Sequence, residues 1–95
     1  MNTTAFTANP YVDDYGNRVN DLYPFTVYVV HNDFRGYPRK RVWCGSSDRT
    51  SAELHSIAAI HHYNREGLTD RMIGAVVLNT HSGEHISHKY LSEVI

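Results

Sequence analysis

The chain is poor in the features that mark most specialised classes of protein. It has one cysteine in 95 residues, Cys44, so no intrachain disulfide can form and no zinc-type cysteine pair exists. No apolar run approaches the roughly 20 residues needed to cross a bilayer, and a membrane is not an expected partner. The opening MNTTAFTANP has neither a basic n-region nor an apolar h-region, so it does not read as a signal peptide. With one thiol and no such signal, a reducing cytoplasm is the expected location. There is no internal repeat and no low-complexity tract.

An excess of charge of either sign is also missing. Nine Lys and Arg stand against ten Asp and Glu, a formal net charge of −1 with the seven histidines neutral. Generic DNA-binding proteins carry a large positive excess, so duplex DNA is not an expected partner; an acidic DNA mimic is excluded equally. Weak net charge gives little self-repulsion, and self-association is poorly opposed.

What is present fits one small domain. A chain this short has no room for a second core and buries roughly 60–65% of its unfolded surface, a marginal position that oligomerisation commonly relieves. Residues 1–10 are small and polar and read as a flexible tail, leaving 11–95 as the domain. Within YVDDYGNRVN, Asp13-Asp14-Tyr15-Gly16 has the chemistry of a hairpin turn with a trailing glycine. PFTVYVVH, from Pro24 to His31, is the best strand, with Phe25, Val27 and Val29 alternating onto one face. Asn32, Asp33 and Gly36 signal a turn, and PRKRVWCG follows as a strand that starts at Pro38 or lies at an edge.

The next segment, SSDRTSAELHSIAAIHHYNREG, predicts a helix. Thr50 with Glu53 forms a capping box, Asp48 is an alternative cap, and Gly67 supplies the stop. Leu54, Ile57, Ala58 and His61 follow helical spacing and predict the buried stripe, with Ala52, Ala59 and Tyr63 as a weaker second one. RMIGAVVLN reads as a central strand, returning through THSG and EHIS as a second hairpin; the end, SHKYLSEVI, suits a short helix or a strand equally. The order ββαββ, with a further N-terminal hairpin as an option and short connections, predicts a single small α+β domain: a mostly antiparallel sheet with one principal helix packed on one face.

Catalytic and cofactor machinery is not legible. Ser46, Ser47, Ser82 and Cys44 lie in no nucleophile-elbow or helix-N-terminal context. Gly45-Ser46-Ser47 before the helix lacks a Walker lysine. His55 and His62 are separated by roughly 10 Å of helix rise, and His61 and His62 point about 100° apart. His85 and His88 fall on opposite faces if both lie in one regular strand. No metal, cofactor or catalytic residue is therefore expected, and the chain reads as not an enzyme.

The working surface is sought instead in RGYPRKRVW, residues 35–43, which holds four of the nine Lys and Arg interleaved with Tyr37 and Trp43. If Val42 and Cys44 face the helix, alternation sends Arg39, Arg41 and Trp43 outward beside Tyr28. Trp, Tyr and Arg are the residues enriched in protein–protein hot spots. Aromatic faces beside guanidinium groups are also what nucleotide and single-strand binders use. Tyr28, Arg39, Arg41 and Trp43 are thus the candidate partner- or ligand-binding residues. The leading expectation is a small non-enzymatic homo-oligomer that occupies a partner protein's surface as an inhibitor or modulator, a description that fits a viral or mobile-element accessory protein. The alternative is a binder of a small nucleotide or single-stranded nucleic acid. A histidine-dependent hydrolase or nuclease is the minor third.

Overall fold

A computed structural model describes residues 9–95; the tail expected over residues 1–10 lies outside them except for Asn9 and Pro10. The elements are β1 (Phe25–Asn32), β2 (Pro38–Ser46), α1 (Arg49–Arg65), β3 (Met72–Asn79), β4 (His85–Tyr90) and α2 (Leu91–Val94). The strands form one sheet in the order β2-β1-β3-β4, every pair antiparallel, with α1 against one face. This is the single α+β domain the sequence predicts. Its C-terminal segment resolves into both alternatives, a strand through Tyr90 and then one helical turn.

Two hydrophobic clusters lie between sheet and helix. Val29 and Ala75 meet Ala59, Ile60 and Met72 in one; Val27 and Val77 meet Ala52 in the other. Trp43 packs against both. The buried face of α1 is Ala52, Ser56, Ala59 and Ile60, while Leu54 is 64% exposed and His61 is exposed. The stripe predicted as dominant therefore faces solvent, and the weaker one faces the sheet. Small side chains explain the choice: Ala52, Ser56 and Ala59 let the helix axis approach the strands closely, which a Leu54–His61 stripe cannot do. The helix starts on Asp48, whose carboxylate accepts from the Ser51 N–H at 2.8 Å. It ends at Gly67, φ +70°, where the Gly67 N–H donates to the Asn64 carbonyl and the Leu68 N–H to the Tyr63 carbonyl, a Schellman stop.

Residues 9–23 wrap the sheet's other side. The expected first hairpin shrinks to one bridge, Val12 with Arg18. Tyr23 packs on Gly45, so closely that any Cβ there would clash with its ring. Asp13 and Asp14 reach the outer edge of β2: Asp13 Oδ2 accepts from the Val42 N–H and Asp14 Oδ2 from the Lys40 N–H, both at 2.8 Å. The edge is thereby closed to strand addition.

Three register shifts interrupt the sheet, between Val27 and Tyr28 in the β1–β2 pairing, Val30 and His31 in β1–β3, and Val77 and Leu78 in β3–β4. Each inserts one extra residue, respectively Trp43, Ile73 and Ile86. A bulge of one residue reverses which face the following side chains occupy, and these three decide where the candidate functional groups lie.

Candidate functional site

The β2 bulge splits the four residues singled out in the sequence. Cys44 stands opposite Val27 on the helix side, but Val42 stands opposite Tyr28 on the reverse side. Arg41 pairs with Val29 and Arg39 with His31, which places both guanidinium groups on the helix side. Trp43, the inserted residue, turns there as well, its ring 5.1 Å from that of His62 and 5.9 Å from that of Tyr63. The expected outward grouping of Tyr28 with Arg39, Arg41 and Trp43 therefore does not form. Tyr28 lies on the reverse face, only 2% exposed, with the Lys40 ammonium 5.6 Å from its ring centroid. Burial, aided by the Asp13 and Asp14 carboxylates, pushes its phenol up. Tyr28 lines a cleft of about 340 Å³ with Val12, Lys40 and Leu78 but is almost wholly covered.

On the helix side the two arginines are held differently. Arg39 Nε donates to Asp33 Oδ2 at 3.0 Å, and Asp33 also accepts from the Arg35 and Tyr37 N–H groups in the β1–β2 turn. The Tyr37 hydrogen bond contributes most to holding the Asp33 carboxyl below its usual range. Arg41 lies over the Tyr15 ring, 4.2 Å from its centroid, an arrangement worth about 0.5–1 kcal/mol at an exposed site.

Arg41 borders an open cleft of about 490 Å³, shared with Tyr15, His31, Tyr63, Asp70 and Arg71. The Schellman stop of α1 throws residues 67–71 back across the end of β1. His31 Nε2 donates to the Leu68 carbonyl at 3.2 Å, and the Asn32 N–H donates to the Arg71 carbonyl at 2.8 Å. Arg71 itself has φ +62°, a left-handed conformation that costs a non-glycine residue about 1–2 kcal/mol. His31 and Tyr63, with centroids 5.3 Å apart, form the cleft's aromatic wall. Two guanidinium groups against one carboxylate leave it net cationic. Sequence reading found Arg41 but missed His31, Tyr63 and Arg71, because nothing in their spacing indicates that the loop after α1 folds against β1.

The reverse face has a different character. Residues 9–23 cover part of it and also reach the β3–β4 turn, where the Tyr11 hydroxyl lies 3.1 Å from His81 Nδ1; a groove of about 260 Å³ remains open, lined by Val30, Pro38, Ile73, Val76, His88 and Tyr90. The β4 bulge at Ile86 sends that side chain into the core and brings His85 onto the same face as His88. The expectation that the two histidines oppose one another is thereby overturned: His85 Nε2 and His88 Nδ1 are 2.9 Å apart. The edge of β4 is partly capped, with the Ile86 carbonyl accepting from Arg49 Nη2 at 3.3 Å and the Tyr90 N–H donating to Glu93 Oε1 at 2.7 Å.

Cys44 packs against the cluster of Val27, Ala52 and Val77, and burial pushes its thiol up, away from the reactive thiolate. Among the described residues no three or more His, Cys, Asp or Glu side chains converge on a common point, and no helix is long and apolar enough to cross a membrane. No family model, curated protein or solved structure matches this chain.

Proposed function

We propose that the protein is a small non-enzymatic binding protein of the cytoplasm, a homo-oligomer that acts by occupying a partner protein's surface as an inhibitor or modulator does. The observation that carries this reading is the half-covered reverse face. Residues 9–23 shield one portion, while Val30, Ile73, Val76 and Tyr90 leave an apolar groove open on the other. Apolar side chains concentrated in one groove and rimmed by histidines suit a protein surface better than a polar small molecule. The partial capping of the β4 edge favours association through the face over strand addition.

Val30→Glu tests the reading. Val30 is half-buried at the groove, so its carboxylate stays hydrated in the monomer but is stranded once a second surface closes over it. The wild type is expected to sediment as an oligomer at roughly 100 µM protein, a concentration that reveals even weak self-association. The variant should sediment as a monomer with an unchanged circular dichroism spectrum. A wild type that is monomeric at that concentration overturns the homo-oligomer.

One observation favours a second reading, a small nucleotide or the end of a single strand bound in the cleft on the helix side. Arg41 and Arg71 supply phosphate contacts there, and Tyr63 and His31 supply rings on which a base stacks. The chain's net charge of −1 favours a compact anion over a long polyanion.

A further inference from the structure

β4 carries a pair of imidazoles on the rim of the reverse-face groove. His85 and His88 are both exposed, with ring centroids 5.0 Å apart and His85 Nε2 2.9 Å from His88 Nδ1. Their backbone is fixed by the ladder, His85 opposite Leu78 and His88 opposite Val76. Only the ring torsions remain to be set. Among the described residues no other two histidine nitrogens lie within hydrogen-bonding distance: His31 donates to the Leu68 carbonyl, and His81 Nδ1 lies 3.1 Å from the Tyr11 hydroxyl.

We propose that His85 Nε2 and His88 Nδ1 form a bidentate site for a divalent transition metal of the class that prefers imidazole, Cu²⁺ first, then Ni²⁺ and Zn²⁺. The spacing supports the choice. Two nitrogens each about 2.05 Å from one ion and at right angles stand about 2.9 Å apart, and opening the angle to the tetrahedral value moves them to about 3.3 Å. The observed separation matches the right-angled pair that square-planar and octahedral ions accept, while Zn²⁺ needs the rings to spread. The two nitrogens now face one another along their hydrogen bond. One of the two carries the proton of that bond, and for both to ligate, this proton passes through solvent to the other nitrogen of its own ring; turning each ring about its Cβ–Cγ bond, a torsion with broad minima, then aims both lone pairs toward the solvent side. Exposure lets a hydrated ion arrive without disturbing the core, and water fills its remaining positions. Hard ions such as Mg²⁺ and Ca²⁺ find no oxygen cage here and should not bind. One chain suffices for the chelate, so it does not rest on the proposed self-association.

The test is titration of the full chain with Cu²⁺ and Zn²⁺ alone, followed by electron paramagnetic resonance for Cu²⁺ and by histidine side-chain nitrogen shifts for Zn²⁺. The expected result is one site of highest affinity, with two-nitrogen coupling in the Cu²⁺ spectrum and shifts confined to His85 and His88. His85→Gln and His88→Gln should each weaken it at least about tenfold, since lesser changes around metal ligands already cost that much. His55→Gln and His61→Gln, exposed on α1, serve as controls and should leave it unchanged. Trp43 fluorescence and circular dichroism establish that each variant stays folded. A tightest site that survives both strand variants, or that the helix variants weaken as much, overturns the proposal, as does binding spread evenly over the seven histidines.

Discussion

Asp13 joins the N-terminal segment to the rest of the domain, and its removal has a calculable cost. One oxygen accepts from the Tyr15 and Asn17 N–H groups at 2.8 Å each; the other accepts from the Val42 N–H at 2.8 Å and Asn17 Nδ2 at 3.1 Å. In Asp13→Ala the turn donors of residues 15–17 are close enough to solvent for water to replace the carboxylate, leaving about 0.5 kcal/mol of loss for each. The Val42 N–H is different, because it belongs to a half-buried strand beneath this very segment. Stranding it costs about 1–3 kcal/mol, and with the three turn donors the total is about 2.5–4.5 kcal/mol. Asp13→Asn keeps one acceptor oxygen but sets an amide NH₂ against either the turn donors or the Val42 N–H, and should lose about 1–3 kcal/mol.

Urea denaturation followed by fluorescence of Trp43, the single tryptophan, measures both variants. The pH dependence gives an independent check. Desolvation, the largest single influence on the Asp13 carboxyl, raises it, but hydrogen bonds from Val42, Asn17 and Tyr15 together outweigh that and hold it below the usual 3.8. A carboxylate depressed in the folded state stabilises above its unfolded pKa and loses that contribution as pH falls through the folded one. The stability gap between wild type and Asp13→Ala should thus be flat from pH 7 to about pH 5 and narrow below pH 4. A cost under about 0.5 kcal/mol, ordinary for a surface change, or a gap that does not narrow in acid, would refute this account of how the segment is held.

Gly74→Ala should destabilise the β3–β4 pairing by about 2–4 kcal/mol, because an added Cβ would overlap the Lys89 carbonyl oxygen and lie 3.0 Å from Tyr90 Cα, with φ already at +157°; hydrogen exchange of the β4 amides, expected to accelerate, reads it out. In the cleft, Arg41→Ala with Arg71→Ala should weaken binding of a nucleotide triphosphate at least tenfold, and wild-type affinity should fall steeply between 50 and 200 mM salt. A wild type with no measurable nucleotide affinity at low salt sinks the second reading without touching the first.

Local chemistry made much of the fold legible. The Thr50–Glu53 capping box, Asp48 as the alternative cap and Gly67 as the stop bracketed α1 to within two residues, and the structure takes the alternative, Asp48, as the cap. Phe25, Val27 and Val29 identified the helix-facing side of β1, because β1 runs from Phe25 to Val29 in unbroken alternation. The two candidate helix stripes were both visible, but propensity and spacing do not say which one fits a sheet surface. That choice was made by the close approach that Ala52, Ser56 and Ala59 allow.

The surfaces were much less legible, for one physical reason. RGYPRKRVW fixed the residue types available at the end of the sheet, and strict alternation then put Trp43 and the arginines on the wrong side. A single inserted residue in a strand changes no composition and leaves no periodic trace, yet it reverses every side chain beyond it. The bulge at Trp43 moved Arg39 and Arg41 to the helix side and left Tyr28 buried behind them. The bulge at Ile86 brought His85 beside His88. The sequence by itself determined the elements, their order and the chemistry each carries. Only the tertiary structure decided which side chains share a face, because strand register depends on partners far away in the chain.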